Sequence, residues 1–571
     1  MNEKAENLLN LALETPETIR EQTDELNVGY DSNQKTWKVI VKYHGDLSGQ
    51  LGSGFPDVVF KGLTGGFGIL TIPENLIDAI LALEEIEYAE KPKRLYFAVN
   101  QAKAASCLLP VQTGAEGLTG QGVLVGILDS GIDLFHDDFR NSDGTTRILY
   151  LQDQVLNRTF TKKEIDRALQ MEDRSEASEL IPSIDTTGHG TAVAGIAAGN
   201  GRESEGRYRG VAYESGVLIV RLGIPDPNGF PRTTEVMEGL DFLVQKAVEW
   251  NLPIAINISF GNSYGSHDGS GLFEQYIDQM TQVGRNVIVI GTGNEGDRAG
   301  HTEGVLGDGE RNAVVELSVA DFETGFSVQI WKNYEDDFAI YLTDPSGTIT
   351  EQISDRRGAY TVQMGNTDLL VFWGEPNPFS TAQEIYIEFL PRSEYVVRGV
   401  WKFTMVPEKI VEGRYNFWLP SAGALNRSTR FLRPSPETTL TVPSTASRPI
   451  SVGAYDDTTR TYASFSGRGY TRAYEIPKPD LVAPGVGIVT TQRGGGYAPV
   501  TGTSFATPFV TGAAALLMEW GIVRGNDPYL YGEKVKAYLR RGAKPLQGFT
   551  EYPNLQVGYG ALCVRNSIPI R

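Results

Sequence analysis

Cysteine is nearly absent from this sequence, since Cys107 and Cys563 are the only two among 571 residues. Two cysteines are too few for a disulfide framework or a cysteine-rich zinc site. Whether they form a single disulfide is left open, and their scarcity favours a reducing compartment. Positive charge is also scarce, because 51 Lys and Arg stand against 71 Asp and Glu, for a net charge of -20. This balance argues against a nucleic-acid-binding protein, whose phosphate contacts require a basic surface.

Long apolar runs are missing as well. The sequence has no stretch of about 18 uncharged apolar residues, and its acidic start lacks the basic and apolar parts of an export signal. We therefore expect no membrane span and no classical signal peptide. Apolar residues nevertheless make up 40% of the chain and aromatic residues 10%. That supply, over a length typical of about three or four domains, predicts well-formed cores.

The first 100 residues predict a small α+β domain with no obvious chemistry of its own. Apolar and polar residues alternate over 36–43, which is the pattern of a half-buried strand. Further strands are predicted near 57–60 and 68–72, followed by a helix from residue 73 and a last strand over 87–97.

Residues 101–309 and 437–571 carry the pattern of a parallel α/β sheet. Helical segments alternate there with short apolar runs at 123–128, 217–220, 254–258 and 287–290. Such runs are buried on both faces, which is typical of parallel strands between two layers of helices.

Between 310 and 436 the pattern changes to short aromatic strands without a convincing helix. Four of the seven tryptophans fall in this segment. We therefore expect residues 310–436 to form an all-β sandwich that is inserted into the α/β domain.

Three short motifs carry residues suited to nucleophilic catalysis. They are Leu128-Asp129-Ser130-Gly131, Gly188-His189-Gly190-Thr191 and Gly502-Thr503-Ser504-Phe505. Asp129 follows a buried strand, and open α/β sheets place their sites at the carboxyl ends of parallel strands. His189 and Ser504 each begin a predicted helix after a glycine, so the imidazole and the hydroxyl lie at a helix start rather than inside a core.

A serine hydroxyl is a weak nucleophile at neutral pH and needs a base to take its proton. That base, a histidine, needs a carboxylate to fix its tautomer and to stabilise the imidazolium. Asp129, His189 and Ser504 fit these roles in an order known from subtilisin. Asn294 follows the run 287–290, so its amide can reach the same edge of the sheet as an oxyanion donor. A role for Asn294 as an ordinary turn residue is the alternative.

On these motifs the chain resembles the subtilisin family of serine proteases, the subtilases, over about residues 100–300 and 437–565. The resemblance implies a subtilisin-like parallel sheet flanked by helices, with Asp129, His189 and Ser504 as the triad and Asn294 as the oxyanion donor. It also implies a substrate-binding strand and one wall of the pocket for the side chain before the cut bond. These correspond to Ser259, Phe260 and Gly261 for the strand, and to Gly291, Thr292 and Gly293 for the wall.

The first 100 residues resemble a subtilase propeptide, which assists folding and then inhibits the active site. A narrower resemblance, to the Csp germination proteases of clostridial spores, rests on 26–31, 90–101, 208–212 and the inserted β-domain. It implies a jelly-roll insert, a propeptide that can stay bound after self-cleavage, and a cortex-hydrolase zymogen as the protein substrate. A cytoplasmic or spore-associated location follows. By family resemblance, the arm ahead of the first catalytic strand puts the propeptide cleavage near Asn100, Gln101 or Ala102.

Residues 199–210 stand where many secreted subtilases have a calcium loop, and no convincing carboxylate cluster lies there. We therefore expect no metal and no cofactor. Besides an active endopeptidase, two functions stay open: a signalling or scaffold protein whose site is blocked by its propeptide, and a general degradative subtilase.

Overall fold

A computed structural model describes the chain apart from residues 1, 3, 21–25, 27–28, 64, 93–97, 115, 224–230, 308–311, 355–358, 474–476 and 570–571. It divides into two compact units, Met1–Phe97 and Ala98–Arg571. The elements of the first unit are α1 Asn7–Glu14, α2 Glu17–Arg20, β1 Tyr30–Asp31, β2 Thr36–Tyr43, α3 Leu47–Gly54, β3 Val59–Leu63, β4 Phe67–Pro73, α4 Ile77–Leu81 and β5 Ile86–Glu90.

The first unit is an antiparallel sheet with strand order β1-β2-β4-β3, in which β5 pairs with the other edge of β2. Trp37, Val39 and Val41 of β2 are buried while the residues between them are not, so the alternation predicted for 36–43 is confirmed. The predicted helix begins at Ile77, after one turn of 3₁₀ helix. The last strand ends at Glu90, and most of the rest of its predicted range, 93–97, lies outside the described residues.

The second unit begins with the first half of an α/β domain. Its elements are α5 Ala98–Ala105, α6 Leu109–Thr113, β6 Leu124–Asp129, β7 Ile148–Asp153, β8 Arg158–Thr161, α7 Lys162–Leu169, α8 Arg174–Leu180, α9 His189–Ala198, β9 Gly216–Arg221, α10 Thr233–Glu249, β10 Ile254–Ile258, α11 Leu272–Met280 and β11 Asn286–Gly291.

Ten strands then follow without an α-helix in the described residues. They are β12 His301–Val305, β13 Ala313–Val319, β14 Phe326–Asn333, β15 Asp337–Thr343, β16 Tyr360–Met364, β17 Thr367–Trp373, β18 Ala382–Pro391, β19 Gly399–Lys409, β20 Arg414–Trp418 and β21 Arg430–Phe431.

The α/β domain resumes with the remaining elements. They are β22 Ile450–Asp456, β23 Thr461–Tyr462, β24 Gly469–Tyr470, β25 Pro477–Lys478, β26 Leu481–Pro484, β27 Ile488–Thr491, β28 Tyr497–Val500, α12 Thr503–Met518, α13 Glu533–Gly542 and α14 Val564–Ser567.

Nine strands of the α/β domain form one sheet, in the order β23-β22-β11-β10-β6-β9-β7-β8 with β26 also paired to β22. The pairs from β22 to β7 are parallel. Every residue of β6, β10 and β11 is buried, as expected for strands covered by helices on both faces. The four predicted apolar runs all fall in strands of this sheet, so the predicted parallel sheet is confirmed.

The inserted strands form two antiparallel sheets, β12-β20-β14-β18-β17-β16 and β15-β19-β13-β21. Aromatic residues from both sheets share one core, among them Phe326, Trp401, Phe403 and Phe417. The insert starts earlier than the predicted residue 310, because β12 pairs with β20 as its first strand. Because β12 contains Glu303 and Gly304, it lacks the alternation of apolar and polar residues from which strands are predicted.

The insert is anchored on the segment that follows β10. The hydroxyl of Tyr264 lies 2.8 Å from Ser327 Oγ, and the N–H of Ser263 donates to Ser421 Oγ at 3.0 Å. Ser380 also donates to the carboxylate of Asp268 at 2.8 Å. These bonds fix the sandwich beside the edge of the parallel sheet.

Within the described residues one helical stretch, Thr503–Val523, is long and apolar enough to span a membrane by length and composition alone. It includes α12 and continues through a π-helical turn. Because 83% of its most apolar 18 residues are buried inside the protein, it has the position of a core helix.

Cys107 and Cys563 form a disulfide, which is the pairing that the sequence left open. The bond joins the segment after α5 to the residue that precedes α14. It therefore links the two ends of the second unit.

Candidate active site

Asp129 is the last residue of β6 and is completely buried. Its two carboxylate oxygens lie 2.8 and 3.0 Å from Nδ1 of His189, which donates to them. The N–H of Ser130 also donates to Asp129 Oδ1 at 2.8 Å. The hydrogen bonds from His189 to Asp129 keep a proton on Nδ1 and leave Nε2 of His189 as the nitrogen that can accept one.

His189 is the first residue of α9, after Gly188 in a left-handed conformation with φ of 82°. Its ring lies 5.1 Å from the ring of Phe505 and 6.0 Å from that of Phe260, measured between centroids. Burial by itself lowers the pKa of His189, but the charge and hydrogen bond of Asp129, with a smaller effect of Asp185, raise it above its ordinary 6.5. The imidazolium is thus stabilised where catalysis would form it.

Asp185 belongs to this site although the sequence did not single it out. Its Oδ1 accepts hydrogen bonds from Ser130 Oγ at 2.7 Å and from the N–H of Gly188 at 2.9 Å. Its Oδ2 accepts the N–H and the hydroxyl of Thr191 at 2.8 and 2.6 Å. These bonds join the turn after β6 to the first turn of α9, so they set where His189 lies. A carboxylate just before a helix start was the available signal.

Ser504 is the second residue of α12, next to Phe505, whose ring packs against His189. Its Oγ donates to the carbonyl oxygen of Ser259 at 3.3 Å, and Ser259 Oγ donates to the carbonyl oxygen of Ser504 at 3.1 Å. Hydrogen bonds between a nucleophile and its base are often long or poorly aligned without substrate and tighten only in the complex. The hydrogen bond from Ser504 Oγ to Ser259 is long and therefore weak, so the hydroxyl can give it up for a bond to His189.

Asn294 lies beside the start of α12. Its Oδ1 accepts the N–H and the hydroxyl of Thr503 at 3.0 and 3.2 Å. A backbone N–H can only donate, so the atom facing it is the oxygen, and the amide Nδ2 points elsewhere. A Cβ placed on Gly502 would lie 3.5 Å from that Nδ2. The amide nitrogen thus lies beside the backbone that precedes Ser504, where the predicted oxyanion donor is expected.

The two predicted walls of the substrate pocket meet at Thr441, which sequence reasoning missed. A Cβ on Gly261 would lie 2.5 Å from Thr441 Oγ1, and a Cβ on Gly293 would lie closer still to Thr441 Cγ2. The N–H of Thr441 donates to the carbonyl of Thr292 at 3.0 Å. Thr441 thus occupies the space between the walls. No local pattern marks it, because the chain brings it there only after the whole insert.

The predicted cleavage positions, Asn100, Gln101 and Ala102, lie on α5. Ala102 is buried in the core of the second unit. One residue later, the Lys103 ammonium donates to the carbonyls of Arg209 and Gly210 at 3.3 and 3.4 Å. Burial, with a smaller effect of the Arg209 charge, lowers the pKa of Lys103 to about 8. An ammonium group therefore binds carbonyls of the segment 199–210, which stands where many secreted subtilases have a calcium loop.

Two family models match most of the chain. Residues 3–93 match the Csp protease B prodomain, and residues 120–323 and 421–560 match the subtilase family. The gap between the last two ranges corresponds to most of the inserted strands.

Three known proteases are similar to this chain over stretches of different length. The structure of the Clostridium perfringens CspB protease is 38% identical and covers 82% of this chain and 97% of that one, with a TM-score of 0.77. The minor extracellular protease Vpr of Bacillus subtilis is 24% identical over 79% of this chain. The serine protease AprX of Bacillus subtilis is 34% identical over 23% of this chain. The chain spans 52% of the length of Vpr and 32% of that of AprX.

The fold, the four groups at one edge of the sheet and the family matches agree with one another. The matched subtilase ranges contain Asp129, His189, Asn294 and Ser504. The chain belongs to the subtilase family of serine proteases and carries a prodomain of the Csp protease B type.

Proposed function

We propose that this protein is a serine endopeptidase that cuts itself free of its prodomain and then activates a zymogen by limited proteolysis. The observation that supports it most is the buried Asp129 carboxylate bonded to Nδ1 of His189, with Ser504 and Asn294 at the same sheet edge. Substrate would lie as an added strand along Ser259–Gly261.

In the proposed mechanism Ser504 Oγ attacks the carbonyl carbon of the peptide bond while its proton passes to His189 Nε2. Asp129 stabilises the resulting imidazolium. The Asn294 amide and the N–H of Ser504 donate to the oxyanion. The C–N bond then breaks as His189 returns the proton to the leaving amine, and water repeats the sequence on the acyl-enzyme to release the acid.

The likeness to the CspB protease supports a finer proposal. The insert would be a jelly roll, the prodomain would serve as a bound inhibitor, and the substrate would be the zymogen of a cortex-degrading hydrolase in the germinating spore. A cytoplasmic or spore-associated location goes with this proposal.

The test is intact mass and gel analysis of the purified full chain beside its Ser504→Ala variant. We expect the wild type to appear as two pieces split near residue 100 and the variant to stay whole, because removal of the nucleophile blocks self-cleavage. If wild type and variant both stay whole and a fluorophosphonate probe does not label Ser504 of the wild type, the active-protease proposal fails. The alternative, a scaffold protein whose site is blocked by its propeptide, then takes its place.

A second measurement separates a processing enzyme from a degradative one. An enzyme confined to a zymogen should cut unfolded casein poorly and a purified cortex-hydrolase precursor at a single site. Broad cleavage of casein would favour the degradative alternative.

A further inference from the structure

A cavity of about 460 Å³ lies in the second unit, and none of the residues that line it belongs to the proposed active site. Three segments form its wall: the end of α5 with Ala104 and Ala105, the connection from β22 to β23, and the residues that follow α13. The side chain of Leu546, in the last of these segments, is buried. A cut near residue 100 precedes all three segments, so the cavity stays intact before and after the proposed self-cleavage.

The hydroxyl of Tyr455 has no hydrogen-bond partner in the described part of the chain. Tyr455 lies in β22, lines the cavity and is only 2% exposed. A buried hydroxyl without a partner is costly, and most such groups find an acceptor. Burial and the charge of Asp457 raise the pKa of Tyr455, whereas the charge of Arg460 lowers it, so both charged groups act on the hydroxyl. An acceptor inside the cavity would satisfy this donor.

The cavity carries more positive than negative charge. Lys544 and Arg460 are its cations, and Asp457 is the one carboxylate among the described residues of its wall. The Lys544 ammonium donates to the carbonyl of Ala105, and neither cation has an ion-pair partner in the part of the chain that the structure describes. Burial, together with the charge of Arg460, lowers the pKa of Lys544. The two like charges repel each other, and an anion between them would relieve that repulsion.

We propose that this cavity binds a small organic carboxylate. The carboxylate group lies between Lys544 and Arg460 and accepts the hydrogen bond of the Tyr455 hydroxyl, while an apolar body packs against Ala105 and Leu546. Hydrogen bonds from cationic groups to a carboxylate are stronger than neutral ones. The volume falls in the range of small-molecule sites, where a few polar groups orient a largely apolar ligand. The site needs no catalysis, so it stands or falls independently of the proposed function.

The test titrates benzoate into the purified full chain and follows binding by saturation-transfer NMR. We expect saturable binding with a Kd of about 1 mM or below, as suits so small a ligand. Benzyl alcohol has the same apolar body without the charge and should bind at least about 10-fold more weakly. Inorganic phosphate has charge without the apolar body and should displace benzoate only at about 10-fold higher concentration.

Variants of the cavity wall should move this Kd in opposite directions. Tyr455→Phe removes only the hydroxyl and should raise the Kd about 3 to 10-fold. Arg460→Gln removes one cation from an exposed position and should raise it about 5-fold. Asp457→Asn removes the carboxylate that would repel the ligand and should lower the Kd about 3-fold. Arg541→Gln removes the same charge as Arg460→Gln from an exposed position of α13 outside the cavity, and the Kd should stay within about twofold of wild type.

Several results would overturn the proposal. They are a lack of saturable benzoate binding up to about 10 mM, an unchanged Kd in both Tyr455→Phe and Arg460→Gln, and an equal loss in Arg541→Gln. Benzyl alcohol or phosphate binding as tightly as benzoate would overturn the assignment to an organic carboxylate. Calorimetry checks that each variant folds, and Arg460→Gln keeps the test decisive if Tyr455→Phe does not.

The Ser504→Ala variant separates this site from the proposed function. It should bind benzoate with the Kd of the wild type, because no residue of the cavity wall takes part in catalysis. If the wild type does not cleave itself but binds benzoate as expected, the site stands and the proposed function fails. If the wild type cleaves itself but benzoate does not bind, the proposed function stands and the site fails.

Discussion

The parallel sheet and the inserted sandwich use apolar residues in opposite ways. In β6, β10 and β11 every residue is buried, so a side chain of these strands reaches a substrate only at a strand end. In β17 and β18 buried residues largely alternate with more exposed ones, so each strand presents a whole face. The sheet can therefore position a few reactive groups precisely at its strand ends, whereas the sandwich can line a binding surface with a whole strand face.

This difference suggests a division of labour between chemistry and recognition. Asp129 ends β6, and Asn294 follows β11. The sandwich supplies none of the four proposed reacting or oxyanion groups, but Phe326 and Leu425 of the insert line a cavity of about 410 Å³ next to Phe260. Changes at the sheet edge should therefore alter kcat, and changes in the sandwich should alter stability or the choice of substrate.

The largest effect is expected for Asn294→Leu, which removes the proposed oxyanion donor at nearly constant volume. We expect kcat to fall about 10² to 10³-fold, which is the loss known for removal of one oxyanion donor from subtilisin, with KM little altered. Steady-state kinetics on a peptide substrate measures both. Asn366→Leu, on the exposed surface of the sandwich, is the matched control and should leave kcat as it is. Similar losses in the two variants would contradict the division.

The second-largest effect is expected for Asp185→Asn, which tests a residue that positions His189 rather than one that reacts. Loss of the carboxylate weakens the bonds to Gly188 and Thr191, and kcat should fall about 10 to 100-fold. Asp185 also raises the pKa of His189, and activity requires neutral His189. The acid limb of the kcat/KM profile should therefore lie above pH 6.5 in wild type and move to lower pH in the variant. An unmoved limb would leave Asp185 with a structural role only.

A smaller effect on activity is expected for changes of Thr441, which lies where the chain returns from the inserted sandwich to the parallel sheet. Thr441→Gly removes the side chain between Gly261 and Gly293 and should deepen the pocket for the residue before the cut bond. The ratio of kcat/KM for a Phe peptide over an Ala peptide should rise about tenfold. Thr441→Ser, which loses only the methyl group, should fall between wild type and glycine. A ratio that stays constant through this series would show that Thr441 does not limit the pocket.

The smallest effect on chemistry is expected inside the sandwich. Trp401→Phe removes a fully buried indole whose Nε1–H donates to the carbonyl of Val397 at 2.9 Å. We expect a loss of about 1 to 3 kcal/mol in the free energy of unfolding, seen as a lower-temperature transition by calorimetry. The kcat for a short peptide should stay within about twofold of wild type. A large fall in kcat would show that the sandwich also holds the sheet edge in place.

The sequence predicted the parts of the site that depend on local rules. Asp129 and Asn294 are singled out because they lie at or after the end of a buried strand, and His189 and Ser504 because they lie in the first turn of a helix that follows a glycine. Thr441 and β12 were missed, since their positions depend on pairing across the insert. Asp185 had a local signal as a helix-capping carboxylate, but its bond to Ser130 depends on how two separate segments pack.

The disulfide between Cys107 and Cys563 closes the chain between them into a covalent ring, with the two cysteines 456 positions apart. A single cut anywhere inside this ring opens it without freeing a fragment until a thiol reductant breaks the bond. A cut ahead of Cys107, such as the proposed one near residue 100, frees the prodomain from covalent attachment without reduction. Gels run with and without reductant would therefore distinguish prodomain removal from internal nicks, and a nicked molecule would remain one particle in an oxidising environment.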